Sequence, residues 1–223
     1  MWGQSMLEKL PESVGHALIN QRAGMDNVVY NHLLRQRSVA RLQVASRTFV
    51  FNGRLPRRYT ADGDGLSPPL AWDEVPAGTV SIALMVEDAD SPTPHPLVHA
   101  IVVGLDGRGG SIDEGALNSP HHTGVGLETG QNSFFRQAWL PPDPPRGHGE
   151  HRYVFQVFAL RPGPLFSKVP GRREFIDAVL EHCIAVGCLI GTYERADRVG
   201  SSPLEQSDER WLPESDGVLG VTE

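Results

Sequence analysis

Cysteine is scarce: the 223 residues hold two, Cys183 and Cys188, which rules out a disulfide scaffold or a cysteine-rich metal site as the organising principle. Both fall in a stretch with helical patterning, where a five-residue separation places them about 140° apart, so they are expected as buried thiols. Long hydrophobic runs are missing as well. No segment approaches the roughly 18 consecutive apolar residues of a spanning helix. The opening Met1-Trp2-Gly3-Gln4-Ser5-Met6 carries neither a charged leader nor an apolar export core. The expected address is the cytoplasm, without a membrane span. Positive charge is not in surplus: Lys and Arg total 20 against 27 Asp and Glu, a formal net charge of −7. That excludes a general nucleic-acid binder, which needs a basic face to neutralise phosphates. A Gly-x-Ser-x-Gly elbow, a phosphate loop and a nucleophile spaced with the histidines are all absent. Gly124-Val125-Gly126 with Gly130 has the wrong final spacing for a dinucleotide fingerprint, and no strand leads into it. No cofactor is expected.

What the chain does have is 24 glycines and 18 prolines beside a modest 39% hydrophobic content, the profile of a turn-rich, mainly β protein with flanking helices. Residues 1–40 read as a helical extension. Pro11 suits a first helical turn, with Val14, Ala17 and Leu18 on one stripe. Gly24 breaks that segment, and Asp26 is placed to cap a second one carrying Val29, Tyr30, Leu33 and Leu34, closed by Arg35, Arg37 and Arg41. Two such short helices must pack on the main domain or on another copy of the chain, as in a homodimer.

Residues 41–195 read as the main domain. The period changes to two at Leu42 and Val44, then at Phe49 and Phe51. A turn-rich passage follows, in which Asp62-Gly63-Asp64-Gly65 lacks the spacing and closing Glu of an EF-hand and reads as a plain turn. Val80–Val86, Leu97–Val103 and Tyr153–Leu160 have the β-branched character of buried strands. Arg172–Ile190 reads as one long helix, with Phe175, Ile176, Val179, Leu180, Cys183 and Ile184 along its stripe. Gly191 ends it before a short strand at 191–194. Residues 196–223 form a polar, acidic tail with little to bury, expected to be flexible. Within it, Ser202-Pro203-Leu204-Glu205 is a capping box that would start a short helix reaching toward Trp211.

The candidate chemistry centres on Glu87-Asp88-Ala89-Asp90-Ser91-Pro92. Asp88 and Asp90, two apart in extended chain, point to the same face at the end of a strand. Taken alone the spacing favours an ordinary Asx-rich turn before proline. His99 in an apolar strand reads, alone, as a buried core histidine. Pro141-Pro142-Asp143-Pro144-Pro145 is stiff and cannot be a central strand, so it serves as a wall or a loop. His151 stands at the entrance of the strand that follows.

Taken together, several blocks in register resemble the phosphatidylethanolamine-binding protein (PEBP) family, and most closely its bacterial branch, the Raf kinase inhibitor-like proteins. They are Ser67-Pro68-Pro69-Leu70-Ala71-Trp72, Pro76-Ala77-Gly78-Thr79, Asp88-Ala89-Asp90-Ser91-Pro92, His99, Pro144-Pro145-Arg146-Gly147 and Gly149-Glu150-His151-Arg152-Tyr153. The resemblance implies a β-sandwich built on a large antiparallel sheet, with an anion pocket at one end. The residues it assigns to that pocket are Asp88, Asp90, His99, Pro144, Pro145, His151 and Tyr153. It further implies binding rather than catalysis, with a phosphate-like or carboxylate ligand and a kinase or protease as the protein partner. Against the family pattern, Ala89 replaces a proline, Ala100 a tryptophan, Trp139 stands near a tyrosine position and Pro141 near a glycine, all of which bear on pocket shape.

In such a pocket, paired carboxylates and imidazoles titrate as a coupled set. The aspartates would orient the rings, and the histidines and Tyr153 would offer donors to an anion. Two other readings use the same residues. One is a hydrolase in which the Asp and His groups act as acid and base. The other is a zinc or manganese site, which requires the ligands to converge. A fourth leaves the domain as a scaffold for the N-terminal helices.

Overall fold

The computed structural model describes residues 12–118, 127–163 and 166–195. Helices α1 (Glu12–Leu18) and α2 (Val29–Gln36) precede strands β1 (Ala40–Arg41), β2 (Gln43–Ala45), β3 (Gly53–Arg54), β4 (Leu70–Asp73), β5 (Ser81–Asp88), β6 (Leu97–Asp106), β7 (Gly110–Ile112), β8 (Glu128–Thr129) and β9 (His151–Leu160). Helix α3 (Arg172–His182) then leads directly into β10 (Cys183–Tyr193). A seven-stranded sheet has the order β1-β10-β9-β5-β6-β8, with β3 also paired to β10, and β2-β4-β7 form a second sheet of three. The architecture is mainly β with few helices.

The large sheet is mixed rather than wholly antiparallel. β1 and β3 run parallel to β10, while β10, β9, β5, β6 and β8 alternate. Both parallel strands lie far from β10 in sequence, so no hairpin dictates their direction. One face of this sheet packs Ile82, Leu84, Val86, Phe155 and Val157 against Leu70, Trp72 and Ile112 of the small sheet. The opposite face packs Met85, Ile101 and Phe158 against Val29 and Leu33 of α2 and Phe175 and Val179 of α3.

Three expectations are corrected. The long helix at 172–190 ends at His182, and the rest is an eleven-residue strand. A continuous apolar run does not by periodicity alone distinguish a helix from a buried strand. β10 is moreover packed so closely that a Cβ on Gly187 would meet the Leu42 carbonyl oxygen at 2.5 Å. Cys183 and Cys188 therefore lie on this strand and not on a helix. Both are free thiols, and burial pushes the Cys183 thiol up to about 12. Finally, Phe49 and Phe51 do not share a strand. Phe49 is buried against Phe155, with ring centroids 5.3 Å apart, while Phe51 is exposed in the turn before Asn52.

Asp26 does not cap α2. Its carboxylate pairs with Arg35 at 3.2 Å, and the helix start is satisfied from the sheet. The Val29 N–H donates to Glu87 Oε2 at 2.9 Å and the Tyr30 N–H to Gln156 Oε1 at 2.6 Å, meeting two of the donors that every helix N-terminus leaves open. Glu87 also accepts from Gln156 Nε2 and from Arg172 Nε, each at 2.9 Å. The apolar stripe of α2 is thus spent on this chain's own sheet. The expected helix near 202–211 and the tail lie outside the described residues.

Candidate functional site

The site forms where three central strands end together. Asp88 closes β5, opposite Leu97 of β6 and Tyr153 of β9, and His151 opens β9 opposite Tyr193. Over these ends the 139–148 passage folds as a roof, kept extended by Pro141, Pro142, Pro144 and Pro145. Beneath it is a cavity of about 160 Å³, lined by Asp88, His99, Asp143, Pro144, Pro145 and His151, with Phe134 and Pro141 also at its wall.

Of the seven residues singled out in the sequence, Asp88, His99, Pro144, Pro145 and His151 meet on this cavity. The other two are placed differently. Asp90 is buried, but its carboxylate accepts from the backbone N–H and Nε of Arg152 at 2.9 and 2.7 Å, from Arg152 Nη2 at 2.6 Å, and lies 3.1 Å from Arg22 Nη1. Burial alone would raise this carboxyl, but the Arg152 contacts and Arg22 outweigh it and hold it below the ordinary range. Tyr153 lies against the site, edge-on to the His99 ring and stacked on His151 with centroids 5.1 and 6.4 Å away. Its buried hydroxyl has no hydrogen-bond partner among the described residues. Burial, then the Asp88 and Asp143 carboxylates, push its ionisation well above the ordinary phenol value.

The hydrogen bonds fix where the protons are. His99 Nδ1 lies 2.5 Å from the Leu140 carbonyl oxygen, and the Leu140 N–H returns to the His99 carbonyl at 2.9 Å. A carbonyl only accepts, so Nδ1 carries the hydrogen and the neutral ring has its lone pair on Nε2. That atom is buried with no partner among the described residues. His151 uses both nitrogens within the protein: Nδ1 is 2.8 Å from Asp88 Oδ2, and Nε2 is 2.6 Å from His148 Nδ1. His148 Nε2 in turn reaches the carbonyls of Leu18 at 2.8 Å and Gln21 at 3.2 Å, so it donates and its Nδ1 accepts from His151. The Asp88–His151 contact then holds one shared proton. The expectation that two imidazoles offer N–H groups to a ligand is corrected: His151 has no nitrogen to spare, and His99 presents a lone pair.

His148 was not among the sequence candidates, although its i, i+3 spacing to His151 was visible. It ties the site to the N-terminal segment. The Arg22 guanidinium donates to the Glu150 and His148 carbonyls at 2.8 and 3.0 Å. The Ala23 and Gly24 N–H groups donate to the Ser91 and Ala89 carbonyls at 2.9 and 2.7 Å. At Gly15 a Cβ would meet the Arg146 carbonyl oxygen at 1.8 Å, so only glycine lets α1 approach this loop. Ala89 suits its place: its N–H donates to the Arg152 carbonyl at 3.0 Å, a bond proline could not make. Asp143 was also missed. Its carboxylate pairs with Arg195, whose guanidinium is shared with Asp62 at 2.9 Å. The Asp62-Gly63-Asp64-Gly65 turn thus serves this outer wall.

Burial presses the ionisation of both His99 and His148 below the ordinary imidazole value, with His151 adding to it; Asp88 opposes it at His99 and the Leu18 carbonyl at His148. A histidine whose folded value is depressed contributes stability that is fully present above its unfolded value and is lost as pH falls. Thermal stability in phosphate-free buffer is therefore expected to decline as pH drops below about 6.5. A flat melting profile between neutral and mildly acidic pH would contradict the neutral assignment of both rings. Among the described residues no group of three or more His, Cys, Asp or Glu converges as a metal site would require. No described helix is long and apolar enough to cross a membrane.

Fold and cavity together define a mainly β protein whose pocket, apolar but for a few titratable groups, is closed over the ends of its central strands. The chain belongs to the phosphatidylethanolamine-binding protein family, whose description "Phosphatidylethanolamine-binding protein" matches residues 45–194. It is 32% identical over 172 residues to the UPF0098 protein of Aquifex aeolicus, covering 77% of this chain and 99% of that protein. The crystal structure of a PEBP homologue from Chlamydia trachomatis superposes with a TM-score of 0.62 at 30% identity, covering 71% of this chain and 99% of the other. YbcL of E. coli, described as a member of the mammalian PEBP family, gives 0.65 at 26% identity over 70% and 99%. Helices α1 and α2 lie before the matched residues.

Proposed function

We propose that this chain is a non-enzymatic binding protein whose cavity takes a phosphate-like or carboxylate head group. The observation that carries this is His99: a fully buried ring with an unpartnered nitrogen, at the wall of a roofed, largely apolar cavity. A buried polar atom without a partner is costly to keep, and a ligand bound under the proline roof would satisfy it. Family membership supports binding rather than catalysis. The Ser91 hydroxyl at the wall bonds within its own turn, to Thr93 at 2.7 Å and the Asp88 carbonyl at 3.3 Å, and the Leu97 N–H donates to it at 3.2 Å, a poor state for a nucleophile. A kinase or protease partner and a cytoplasmic setting are carried by the resemblance and the sequence alone.

The test is a titration of the full chain with inorganic phosphate and, separately, phosphoethanolamine, followed through the ring resonances of His99 and His151. Saturable movement of both is expected, since one ring faces the cavity and the other anchors its floor. If neither ring responds at saturating ligand, the cavity is not the binding site.

A further inference from the structure

The polar lining of the cavity has an unexpected sign. Asp88 and Asp143 contribute carboxylates, the prolines contribute no N–H, the Ser91 and Thr93 hydroxyls donate to the Asp88 and His95 carbonyls, and both nitrogens of His151 are engaged inside the protein. What His99 adds is a lone pair, because the Leu140 carbonyl claims its hydrogen at Nδ1. The carboxylate charges are balanced locally, Asp88 by the proton it shares with His151 and Asp143 by Arg195, so the pocket is not strongly negative. Its surface is largely apolar and the few polar groups on it are acceptors, and a bare oxyanion brought against His99 Nε2 would set lone pair against lone pair.

We propose that this pocket takes an oxyanion only with a proton between the ligand and His99 Nε2. At neutral pH it selects oxyacids that retain an O–H, such as hydrogen phosphate, over fully deprotonated ones of the same shape, such as sulfate. This rests on the anion reading above and names the ligand's protonation state as the property that is read. The ligand hydroxyl donates to Nε2 of the His99 ring, which Tyr153 and Trp139 pack against.

A ligand without its own proton must wait for the ring to gain one. The groups facing His99 from the surrounding elements act on that step in opposite directions: the Asp88 and Asp143 carboxylates favour the imidazolium, while His151 and burial against Trp139 and Tyr153 disfavour it. Burial dominates, so the ring resists the proton and is neutral at neutral pH. Binding of sulfate is then linked to uptake of one proton, whereas binding of hydrogen phosphate at neutral pH is not.

Sulfate and hydrogen phosphate share charge and tetrahedral shape and differ by one proton, which makes the pair a clean probe for the full-length protein. At about pH 7.5, inorganic phosphate is expected to bind at least about tenfold more tightly than sulfate, because a site built around a ligand hydroxyl rejects the analogue lacking it. At about pH 5.5, sulfate is expected to gain on the order of a hundredfold, one decade per pH unit for one linked proton, with close to one proton taken up, counted by calorimetry in buffers of different ionisation heat. Nitrogen-15 shifts of the His99 ring in the free protein should show Nδ1 protonated and Nε2 bare. Equal affinities for the two anions at neutral pH, or a protonated Nε2 in the free protein, overturn the discrimination while leaving anion binding standing. If neither anion perturbs His99 at either pH, the anion reading itself falls, and this inference with it.

Discussion

Replacing Glu87 by alanine is expected to cost about 3–5 kcal/mol of folding stability, because it strips the acceptor from three donors at once in a buried setting. The carboxylate is fully buried on the helix-bearing face of the large sheet. It receives the Val29 N–H at the start of α2, the Gln156 amide from β9 and the Arg172 guanidinium from the start of α3. Burial pushes the Glu87 carboxyl up, with Arg172 and then the Val29 N–H pulling it back; the three donors converging on it are the arrangement that suits a carboxylate. In the alanine variant the Val29 N–H loses its acceptor and a cavity opens beside Met85, so α2 should detach before the sheet melts. For a chain of this size the loss corresponds to a fall in melting temperature of roughly 6–20 °C. Urea titration with hydrogen exchange at residues 29–36 would check it. Glu87→Gln, which keeps one acceptor oxygen, should lose less. If both variants melt like the parent, Glu87 is not the anchor of α2.

Asp90→Ala is expected to cost about 2–4 kcal/mol, less than Glu87→Ala because the Arg152 side chain is partly solvated and can rehydrate. The informative part is what should not change. Asp90 faces Arg152 and Arg22, not the cavity, so phosphate titration of His99 should give a dissociation constant within a few-fold of the parent. Asp88→Ala, which strands His151 and alters the floor, should impair that titration. Limited proteolysis should cut the Asp90→Ala variant more readily near Arg22. Loss of ligand response with unchanged stability in Asp90→Ala would restore Asp90 to the binding surface and contradict its placement here.

These two residues also show which parts of the molecule the sequence could and could not convey. The Asp88-x-Asp90 spacing suggests two carboxylates on one face, but the chain turns after Asp88, with the Asp90 N–H donating to Asp88 Oδ1 at 2.8 Å, and only Asp88 lines the cavity. The spacing could not say that an arginine adjacent to His151 would claim one of the carboxylates, because that choice is made by the start of β9, some sixty residues away in the chain. His99, in an apolar strand, has the sequence signature of any core histidine; what sets it apart is Leu140 claiming Nδ1, a contact without local pattern. The strands at 81–88, 97–106 and 151–160 were legible from their β-branched content. The strand at 183–193 was not, since it continues without a break from a helix and remains apolar throughout. Likewise α2 showed its amphipathic face in sequence but not its caps, which are side chains of β5 and β9.

Strand β10 carries a consequence for the order in which this protein can assemble. β1 and β3 pair with it, as does β9, yet it is the last described element of the chain. The edge strands beside the N-terminal extension therefore leave the ribosome long before their partner exists. Pairings this distant in sequence make closure of the sheet slow. The cavity, whose floor needs β5, β6 and β9 in register, gains its outer wall only when Arg195 arrives to hold Asp143. A nascent chain stopped short of residue 183 would hold the cavity-lining residues without the strand that flanks them, so the cavity should take shape only after that strand has paired with β9.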